Sequence, residues 1–233
     1  MEFERELFLI DKPSGITSFD VIRRLRRCYQ VAYDGAKAPK MGHAGTLDPL
    51  ATGLMIIGVG AGTKRLAELT KREKEYVAEV RIGERRSTGD LEGEVVEACA
   101  VQMDQPELTT ALTEALATLI GETELPVSAY SAIKVDGVPM YQRARKAAER
   151  GETVADVPLR TMRVFAAELF TVHPQGDRYV ATVRFHVGSG TYIRSLAEEL
   201  GRRIGYPATL QSLRRTKVGE FSVDMAESLP ETK

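Results

Sequence analysis

The stretch GHAGTLDPLATG, residues 42–53, decides how the rest of the chain is interpreted. Gly42, Gly45 and Gly53 allow the backbone to approach a ligand closely or to adopt positive φ. Asp48 precedes a proline, which biases its own backbone toward an extended form and can hold a carboxylate in one direction. The same Asp-Pro pair fits a simple turn, and these features alone favour the turn. A phosphate-binding P-loop is excluded because GxxxxGK[ST] is absent.

Apolar patterns on both sides of this loop-like region, residues 31–53, predict strands and helices in alternation. Strands are predicted over residues 6–11, 54–59, 76–82 and 178–187. Helices are predicted from Thr17 or Ser18 onward, over residues 106–120, 139–150 and 191–204, and in a shorter segment that ends near Arg214 and Arg215. We therefore expect an α+β fold with a mixed, largely antiparallel sheet and flanking helices.

The composition excludes several classes of protein. The 233 residues carry 32 basic and 33 acidic side chains, so the net charge does not indicate a nucleic-acid partner. Two cysteines without CxxC spacing and three histidines without HExxH spacing do not predict a metal site. No apolar run approaches the ~20 residues of a membrane span. The N-terminus does not have the pattern of a signal peptide, so we expect a cytoplasmic protein.

Five further segments carry short motifs in a fixed order. They are KPSGITS (residues 12–18), KEY (74–76) followed by IG (82–83) and STGDLEG (87–93), YSAIK (130–134) with Gly137 and Tyr141, GTYIRSL (190–196), and LRRT (213–216) with Gly219 and Phe221. Together with residues 42–53 they resemble the motifs of the TruB family of pseudouridine synthases. The resemblance covers most of the chain.

The resemblance implies a tRNA pseudouridine synthase with the pseudouridine synthase fold, which isomerises uridine 55 in the T-arm of tRNA. The reaction needs no redox change and no phosphate energy, so we expect neither metal nor cofactor. We expect one catalytic domain over residues 1–233, monomeric and without a required protein partner. The polar and basic residues 124–152 predict a flap that contacts RNA. The chain ends shortly after Phe221, so we expect no C-terminal RNA-binding domain of the PUA type.

The resemblance assigns the chemistry to Asp48, Arg194 and Tyr76. Asp48 could attack C1′, attack the base or stabilise positive charge at C1′. The arginine that matches Arg194 pairs with the catalytic aspartate, which would keep Asp48 ionised. The alternative for Arg194 is a surface side chain near a helix N-terminus, where a cation is unfavourable. Tyr76 matches a base-stacking tyrosine, although a core tyrosine on a strand fits equally.

Five other residues are predicted to bind the RNA substrate. Tyr192 and Leu213 match residues that line the uracil pocket, although Leu213 fits a core position as well. His43 matches a histidine that helps the base leave the RNA stack, whereas a lone loop histidine is usually just solvated. Lys64 and Lys134 complete the set. Basic side chains could form a phosphate-binding face, with Arg23, Arg24, Arg26, Arg27, Lys64, Arg65, Arg143, Arg145, Lys146, Arg202, Arg203, Arg214, Arg215 and Lys217 as its candidates.

Two segments depart from the family pattern, and three other functions remain open. Residues 124–129, ELPVSA, lack the glutamine-proline pattern, and residues 86–88 lack the usual threonine-aspartate start. The alternatives are a catalytic subunit of a guide-RNA complex, an RNA-binding and folding factor, and an aspartate-dependent nucleoside hydrolase. The hydrolase fits the Asp48 loop but not the other five motifs.

Overall fold

Strands and helices are interspersed along the computed structural model, which describes residues 5–131, 133–150, 152, 154 and 157–231. The strands are β1 (Leu7–Lys12), β2 (Met41–His43), β3 (Thr52–Val59), β4 (Lys74–Ile82), β5 (Glu84–Arg86), β6 (Val95–Ala98), β7 (Gly121–Pro126), β8 (Lys134–Val135), β9 (Val138–Pro139), β10 (Leu159–Gln175), β11 (Arg178–Val187), β12 (Ala208–Val218), β13 (Phe221–Ser222) and β14 (Glu227–Ser228). The α-helices are α1 (Ser18–Ala32), α2 (Leu66–Thr70), α3 (Gln105–Leu119), α4 (Met140–Ala148) and α5 (Ile193–Ile204). Short 3-10 helices cover Gly60–Arg65 and Val223–Met225.

The main sheet has the strand order β14-β1-β3-β12-β4-β11-β10-β7, with β13 paired to β12 and β2 paired to β3. β1 runs parallel to β14 and antiparallel to β3, while β12 runs parallel to β3. β7 runs antiparallel to β10, β2 to β3 and β13 to β12. The predicted α+β class, with a mixed and largely antiparallel sheet, is confirmed.

The two longest helices start where local chemistry predicts. Thr17 caps α1: its hydroxyl accepts from the backbone of Asp20, whose carboxylate accepts from the backbone of Thr17 at 2.8 Å. Asp104 and Glu107 form the same reciprocal cap on α3. The leucine stripe predicted for α3 is buried and packs on β10 and α5. The stripe consists of Leu108, Leu112, Leu116 and Leu119.

The prediction of a short helix that ends near Arg214 and Arg215 is wrong, because this segment is the strand β12. It pairs in parallel with β3, with Arg214 opposite Thr52 and Arg215 opposite Gly53. Leu210 and Leu213 are three residues apart, which is a helical spacing. A pattern of apolar residues does not indicate that Arg215 also points inward. Tertiary pairing therefore overrides the local signal here.

Other boundaries also differ from the prediction. The loop predicted over residues 31–53 contains β2 and the start of β3. The 17-residue strand β10 is missing from the prediction, since its burial alternation breaks at Ala166 and Ala167. Residues 124–126 of the predicted flap belong to β7, and the β8–β9 pair and α4 follow. Ala132 of the YSAIK motif and Gly151 of the flap lie outside the described residues.

The chain divides into two compact units. The first unit comprises Met1–Val77, His186–Ser189 and Ser212–Lys233, and the second comprises Ala78–Phe185 and Gly190–Gln211. In the first unit, a buried apolar cluster underlies the region after β2 and the strand β3. Its members are Ala44, Leu54, Ile56, Leu69 and Val218.

Candidate active site

The loop that carries Asp48 connects β2 to β3 in the first unit. Asp48 is half-buried, and its carbonyl oxygen accepts from the backbone of Ala51 at 3.1 Å. That bond closes a four-residue turn with Pro49 in its second position, where the fixed φ of proline is favourable. The simple turn interpretation is therefore correct for the backbone, and the same turn presents the carboxylate.

The fully buried side chain of Lys12 forms hydrogen bonds with the backbone of this loop. Its ammonium donates to the carbonyl oxygens of Pro49 at 3.1 Å, Ala51 at 2.6 Å and Pro13 at 2.8 Å. Three carbonyl acceptors match the three donors of an ammonium group. The first residue of the KPSGITS motif thus fixes the backbone just after Asp48.

Three further residues of the KPSGITS motif also form hydrogen bonds with the backbone of the Asp48 loop. The hydroxyl of Ser18 donates to the carbonyl of Leu47 at 2.9 Å and accepts from the amide of Leu47 at 2.8 Å. Ser14 donates to Leu50, and the amide of Gly15 donates to Pro49, both at 2.9 Å. The backbone is therefore held immediately before and after Asp48.

Arg215 holds the loop from β12 and is only 1% exposed. Its guanidinium donates to the carbonyl oxygens of Leu54 at 2.7 Å, Gly45 at 3.2 Å and Thr46 at 3.4 Å. A Cβ on Gly53 would lie 2.3 Å from the Arg215 carbonyl oxygen, and φ of Gly53 is +103°. Glycine is thus required where β3 passes β12.

Arg215 does not belong to a phosphate-binding face, so this part of the sequence prediction is wrong. The other predicted members include side chains that are already paired with carboxylates. Arg214 donates to Asp11 at 2.7 Å, and Arg202 donates to Glu199 at 2.7 Å. The apolar pattern could not separate a buried arginine from a solvated one, because both are marked as polar positions.

His43 lies on β2, next to the Asp48 loop, and is half-buried rather than solvated. Burial lowers the pKa of His43, and the positive charge of Arg215 lowers it further. The backbone of Gly45 acts in the opposite direction, with a smaller effect. Its buried Nδ1 has no hydrogen-bond partner among the described residues. The neutral imidazole is therefore the favoured form at neutral pH.

Lys74, the first residue of β4, is a further buried cation at this loop. Its ammonium donates to the carbonyl of Thr70 at 2.7 Å and also to that of Arg72. Burial and the charge of Arg215 lower the pKa of Lys74 to about 8. A Cβ on Gly45 would lie 3.9 Å from Lys74 Cε, so this lysine borders the same loop.

The remaining predicted residues of the first unit differ in exposure. Tyr76 is buried on β4, and Leu213 is buried on β12, where its carbonyl accepts from Thr52 Oγ1 at 3.4 Å. Lys64 is exposed at the end of a 3-10 helix. The burial of Tyr76 fits a core position and a base-stacking position alike. The burial of Leu213 fits a core position and a pocket wall alike.

In the second unit, Arg194 lies in the first turn of α5 and is only 5% exposed, so the surface interpretation is wrong. Its Nη1 donates to the carbonyl of Thr88 at 2.9 Å and to Ser128 Oγ at 2.6 Å. Its Nη2 donates to the carbonyl of Tyr130 at 3.3 Å. Three segments with family-like sequence, STGDLEG, YSAIK and GTYIRSL, thus meet at one guanidinium.

Asp90 is a buried carboxylate that lies beside Arg194 in the second unit. Its carboxylate lies 3.8 Å from Arg194 Nε and is 2% exposed. It accepts from Thr88 Oγ1 at 2.6 Å and from the amide of Glu92 at 3.1 Å. Burial also raises the pKa of the nearby Glu198, although the positive charges of Arg85 and Arg194 act to lower it. Sequence reasoning assigned no role to Asp90, although it lies in a quoted motif.

Tyr192 and Lys134 complete the predicted set in the second unit. Tyr192 is the half-buried residue that precedes α5, and its carbonyl accepts from the amide of Leu196 at 3.1 Å. Lys134 is exposed on the short strand β8. The two units therefore each contain a hydrogen-bonded polar centre, one around the Asp48 loop and one around Arg194.

The described part of the chain has no group of three or more His, Cys, Asp or Glu side chains placed to hold a metal ion. Within the same part, every helix is too short or too polar to cross a membrane.

Comparison with known proteins identifies the family. Residues 32–193 match the N-terminal domain of the TruB family of pseudouridylate synthases. Proteins named tRNA pseudouridine synthase B from Leifsonia xyli subsp. xyli and Mycobacterium leprae are 43% and 40% identical to this chain. Each alignment covers 96% of this chain, with 70% and 67% of the respective relative.

Solved structures show a similar fold. A chain of a Cbf5-Nop10-Gar1 complex aligns with a TM-score of 0.65 at 23% identity, covering 96% of this chain and 52% of that chain. A chain of an H/ACA RNP bound to a substrate RNA that contains 2'-deoxyuridine aligns with a TM-score of 0.64 at 22% identity, covering 96% of this chain and 50% of that chain. With the family match and relatives at 40% identity or more, the chain belongs to the TruB family of pseudouridylate synthases.

Proposed function

We propose that this protein converts uridine 55 in the T-loop of tRNA to pseudouridine, with Asp48 as its catalytic carboxylate. The observation that carries the proposal is the Asp48 loop, whose backbone is bonded on both sides by buried groups from Lys12, Ser18 and Arg215. Membership of the family and relatives named tRNA pseudouridine synthase B support the substrate class.

The reaction breaks the N1–C1′ bond of uridine, turns the uracil and forms a C5–C1′ bond. The hydrogen at C5 leaves as a proton, and N1 gains one, so the atoms and electrons balance without oxidant, reductant or phosphate donor. The enzyme must therefore hold the freed base, stabilise charge at C1′ and move protons. A fixed carboxylate can do this by attack on C1′, by attack on the base or by assisting elimination.

A rigid loop suits this task because catalysis rewards a group held in its reactive position before substrate arrives. Aspartate has a short side chain, so the direction of its carboxylate follows the backbone closely. The hydrogen bonds to Leu47, Pro49 and Ala51 surround Asp48 in the chain. They are bonds between protein groups that require no substrate.

Arg194 is proposed to pair with Asp48 in the active enzyme. The buried position of Arg194 and its bonds to Thr88, Ser128 and Tyr130 support a role beyond surface charge. A guanidinium near the aspartate would favour the ionised carboxylate over the protonated acid. It would also keep the carboxylate available for attack at neutral pH.

The other predicted residues are proposed to receive the target nucleotide. Tyr76 would stack on the uracil, with Tyr192 and Leu213 as further walls of the pocket, replacing the stacking lost when the base leaves the RNA. His43, held neutral by burial, would fill space in the RNA stack. The exposed Lys64 and Lys134 would contact phosphates.

We propose a cytoplasmic monomer that acts on the T-arm without metal, cofactor or partner protein. The flap of residues 124–152 would contact the RNA, and residues 1–233 would act as one catalytic domain. These features follow from the family resemblance and from the sequence pattern.

The proposal is tested by tritium release from an unmodified tRNA transcript labelled at C5 of uridine, with purified protein and no added metal, guide RNA or partner. Formation of the new C5 bond expels the label, so we expect one label released per tRNA. Asp48→Asn should abolish release while tRNA binding in a titration stays within about twofold, because only the transition-state contact is lost. Asp34→Asn is the matched control, since Asp34 is exposed and its φ of +47° suits asparagine.

Each other result would point to a different function. Release that requires an added RNA would indicate a guide-dependent subunit. Free uracil among the products would indicate a hydrolase. Tight tRNA binding without release, unchanged in Asp48→Asn, would indicate a binding factor.

A further inference from the structure

We propose that Ser128 is a positioning residue for Arg194, and that its hydroxyl orients the guanidinium for catalysis. The inference rests on the proposed function, in which Arg194 pairs with Asp48. Ser128 lies in the segment ELPVSA, which departs from the family pattern, and the sequence assigns this serine no role of its own within the predicted flap.

The hydroxyl of Ser128 joins three segments of the second unit. It accepts from Arg194 Nη1 at 2.6 Å and from the amide of Tyr130 at 3.2 Å, and it donates to the carbonyl of Thr88 at 3.3 Å. A serine hydroxyl has one hydrogen to donate and two lone pairs to accept with, so its capacity is fully used. Few side chains other than serine and threonine could make this set of bonds.

The bonds fix the direction of the guanidinium as well as its position. Nη1 carries two hydrogens, and both have acceptors, the Thr88 carbonyl and the Ser128 hydroxyl. The guanidinium is planar, so two bonds at one nitrogen and a third from Nη2 to Tyr130 set its plane. Asp90 lies beside Nε, on a different edge from the two bonds at Nη1.

The bond from Ser128 is the shortest of the three that Arg194 makes to these neutral acceptors. A charge-assisted hydrogen bond from a buried guanidinium contributes more than a neutral one, and loss of the acceptor leaves a buried donor unpaired. Without the Ser128 hydroxyl, the guanidinium keeps its charge and its bonds to Thr88 and Tyr130 but loses the shortest of the three bonds that set its plane. We therefore expect catalysis to suffer more than binding.

Ser128 also lies at the base of the predicted flap of residues 124–152, and Tyr130 follows it by two residues. Two of the acceptors of Arg194 thus belong to the first residues of that segment.

Ser195 offers a matched control on the same helix. Its hydroxyl donates to the carbonyl of Pro126 at 2.8 Å, and its side chain is buried. Like Ser128, it connects α5 to the chain after α3 through one serine hydroxyl. It makes no hydrogen bond to Arg194 among those that the structure describes. A purely structural effect should appear in Ser195→Ala as strongly as in Ser128→Ala.

The experiment measures single-turnover rate and tRNA binding for Ser128→Ala, Ser128→Thr and Ser195→Ala, with thermal unfolding of each. Ser128→Ala should lower the rate about tenfold, which corresponds to the loss of one charge-assisted bond, with binding within about twofold. Ser128→Thr keeps the hydroxyl and should recover most of the rate. Ser195→Ala should lower the melting temperature with a rate near that of the wild type.

A second measurement separates this inference from the proposed function. Hydrogen exchange of the Arg194 guanidinium, followed by nitrogen-15 NMR, should accelerate in Ser128→Ala and not in Ser195→Ala. An active wild type with equal rates in Ser128→Ala and Ser195→Ala would overturn the positioning role. So would a Ser128→Thr rate as low as that of Ser128→Ala. A wild type that releases no label from any tRNA would instead overturn the proposed function, whatever the exchange result.

Discussion

The Asp48 loop and the Arg194 centre hold their functional side chains in opposite ways. Around Asp48, buried side chains donate to backbone carbonyls, with Lys12 and Arg215 on two sides of the loop. Around Arg194, backbone carbonyls and one serine accept from the functional side chain itself. One centre fixes the chain and lets the side chain follow, and the other fixes the side chain directly.

The difference follows from the length of the two side chains. An aspartate carboxylate is two bonds from its backbone, so a rigid backbone is enough to aim it. An arginine has four rotatable bonds, and losing that freedom costs about 2 kcal/mol of rotamer entropy. Its head group must be bonded where it acts. We expect damage to the first centre to come from changes that strain or release its backbone, and damage to the second to come from the loss of a single acceptor.

The largest effect should come from Gly53→Ala, which tests whether the backbone carries the Asp48 loop. The new Cβ would lie 2.3 Å from the Arg215 carbonyl oxygen and 2.7 Å from its amide, at a φ of +103°. Overpacking and backbone strain together should cost at least about 3 kcal/mol of unfolding free energy. Urea unfolding of the purified variant would measure it.

Gly35→Ala provides the comparison for that experiment. Gly35 has φ of +83°, and an added Cβ would meet nothing within 4 Å. Only the conformational cost of about 1–2 kcal/mol remains. Equal destabilisation by the two variants would show that the close passage of β3 and β12 is not what limits position 53.

A smaller effect is expected from Lys12→Met, which removes one side of the support without a steric clash. The carbonyl oxygens of Pro13, Pro49 and Ala51 would lose the Lys12 ammonium, while Pro49 would keep the amide of Gly15 as a donor. Unsatisfied carbonyls should cost about 2 kcal/mol of stability, and looser aim of Asp48 should lower kcat about tenfold with tRNA affinity retained. Stopped reactions on the tritiated transcript, with a binding titration, would separate these effects.

Ser14→Ala is the matched case for Lys12→Met. Ser14 also donates to the loop, at Leu50, but lies exposed to water, which can replace the lost bond. Its kcat should stay within about twofold of the wild type. A Lys12→Met enzyme as active as Ser14→Ala would mean that Arg215 and Ser18 suffice to hold the loop.

The sequence predicted those elements whose signal is local. The Thr17 cap, the leucine stripe of α3 and the alternation of β4 were all recognisable, since periodicity and capping act over a few residues. β12 was mistaken for a helix because its pairing with β3 is non-local and its inward Arg215 is charged. β10 was missed because its alternation shifts midway.

The site was predicted only where a family motif named a role. Asp48, Tyr76 and Arg194 came from the resemblance, and their assignment stays a prediction. Lys12 and Ser128 have no predicted role, and Arg215 is wrongly predicted to bind phosphate, because a buried cation or serine has the same letter as a solvated one. A pairing argument points to Lys12 and Arg215, because backbone carbonyls that are buried in a loop without regular secondary structure require side-chain donors.

The smallest expected effect concerns Lys74, whose buried ammonium borders the Asp48 loop. Its native pKa of about 8 lies below the 10.5 of an unperturbed lysine, so the unfolded chain holds more protons between these values. Stability should therefore rise with pH in that window, and the penalty for the charged ammonium is fully present below pH 8. Relative to Lys74→Met, wild-type unfolding free energy should gain about 1–2 kcal/mol between pH 8 and pH 9.5. Urea unfolding at both pH values would measure this, since titration of the other lysines cancels in the difference. A constant difference would place the charge of Lys74 in contact with solvent and leave Lys12 and Arg215 as the buried cations of the loop.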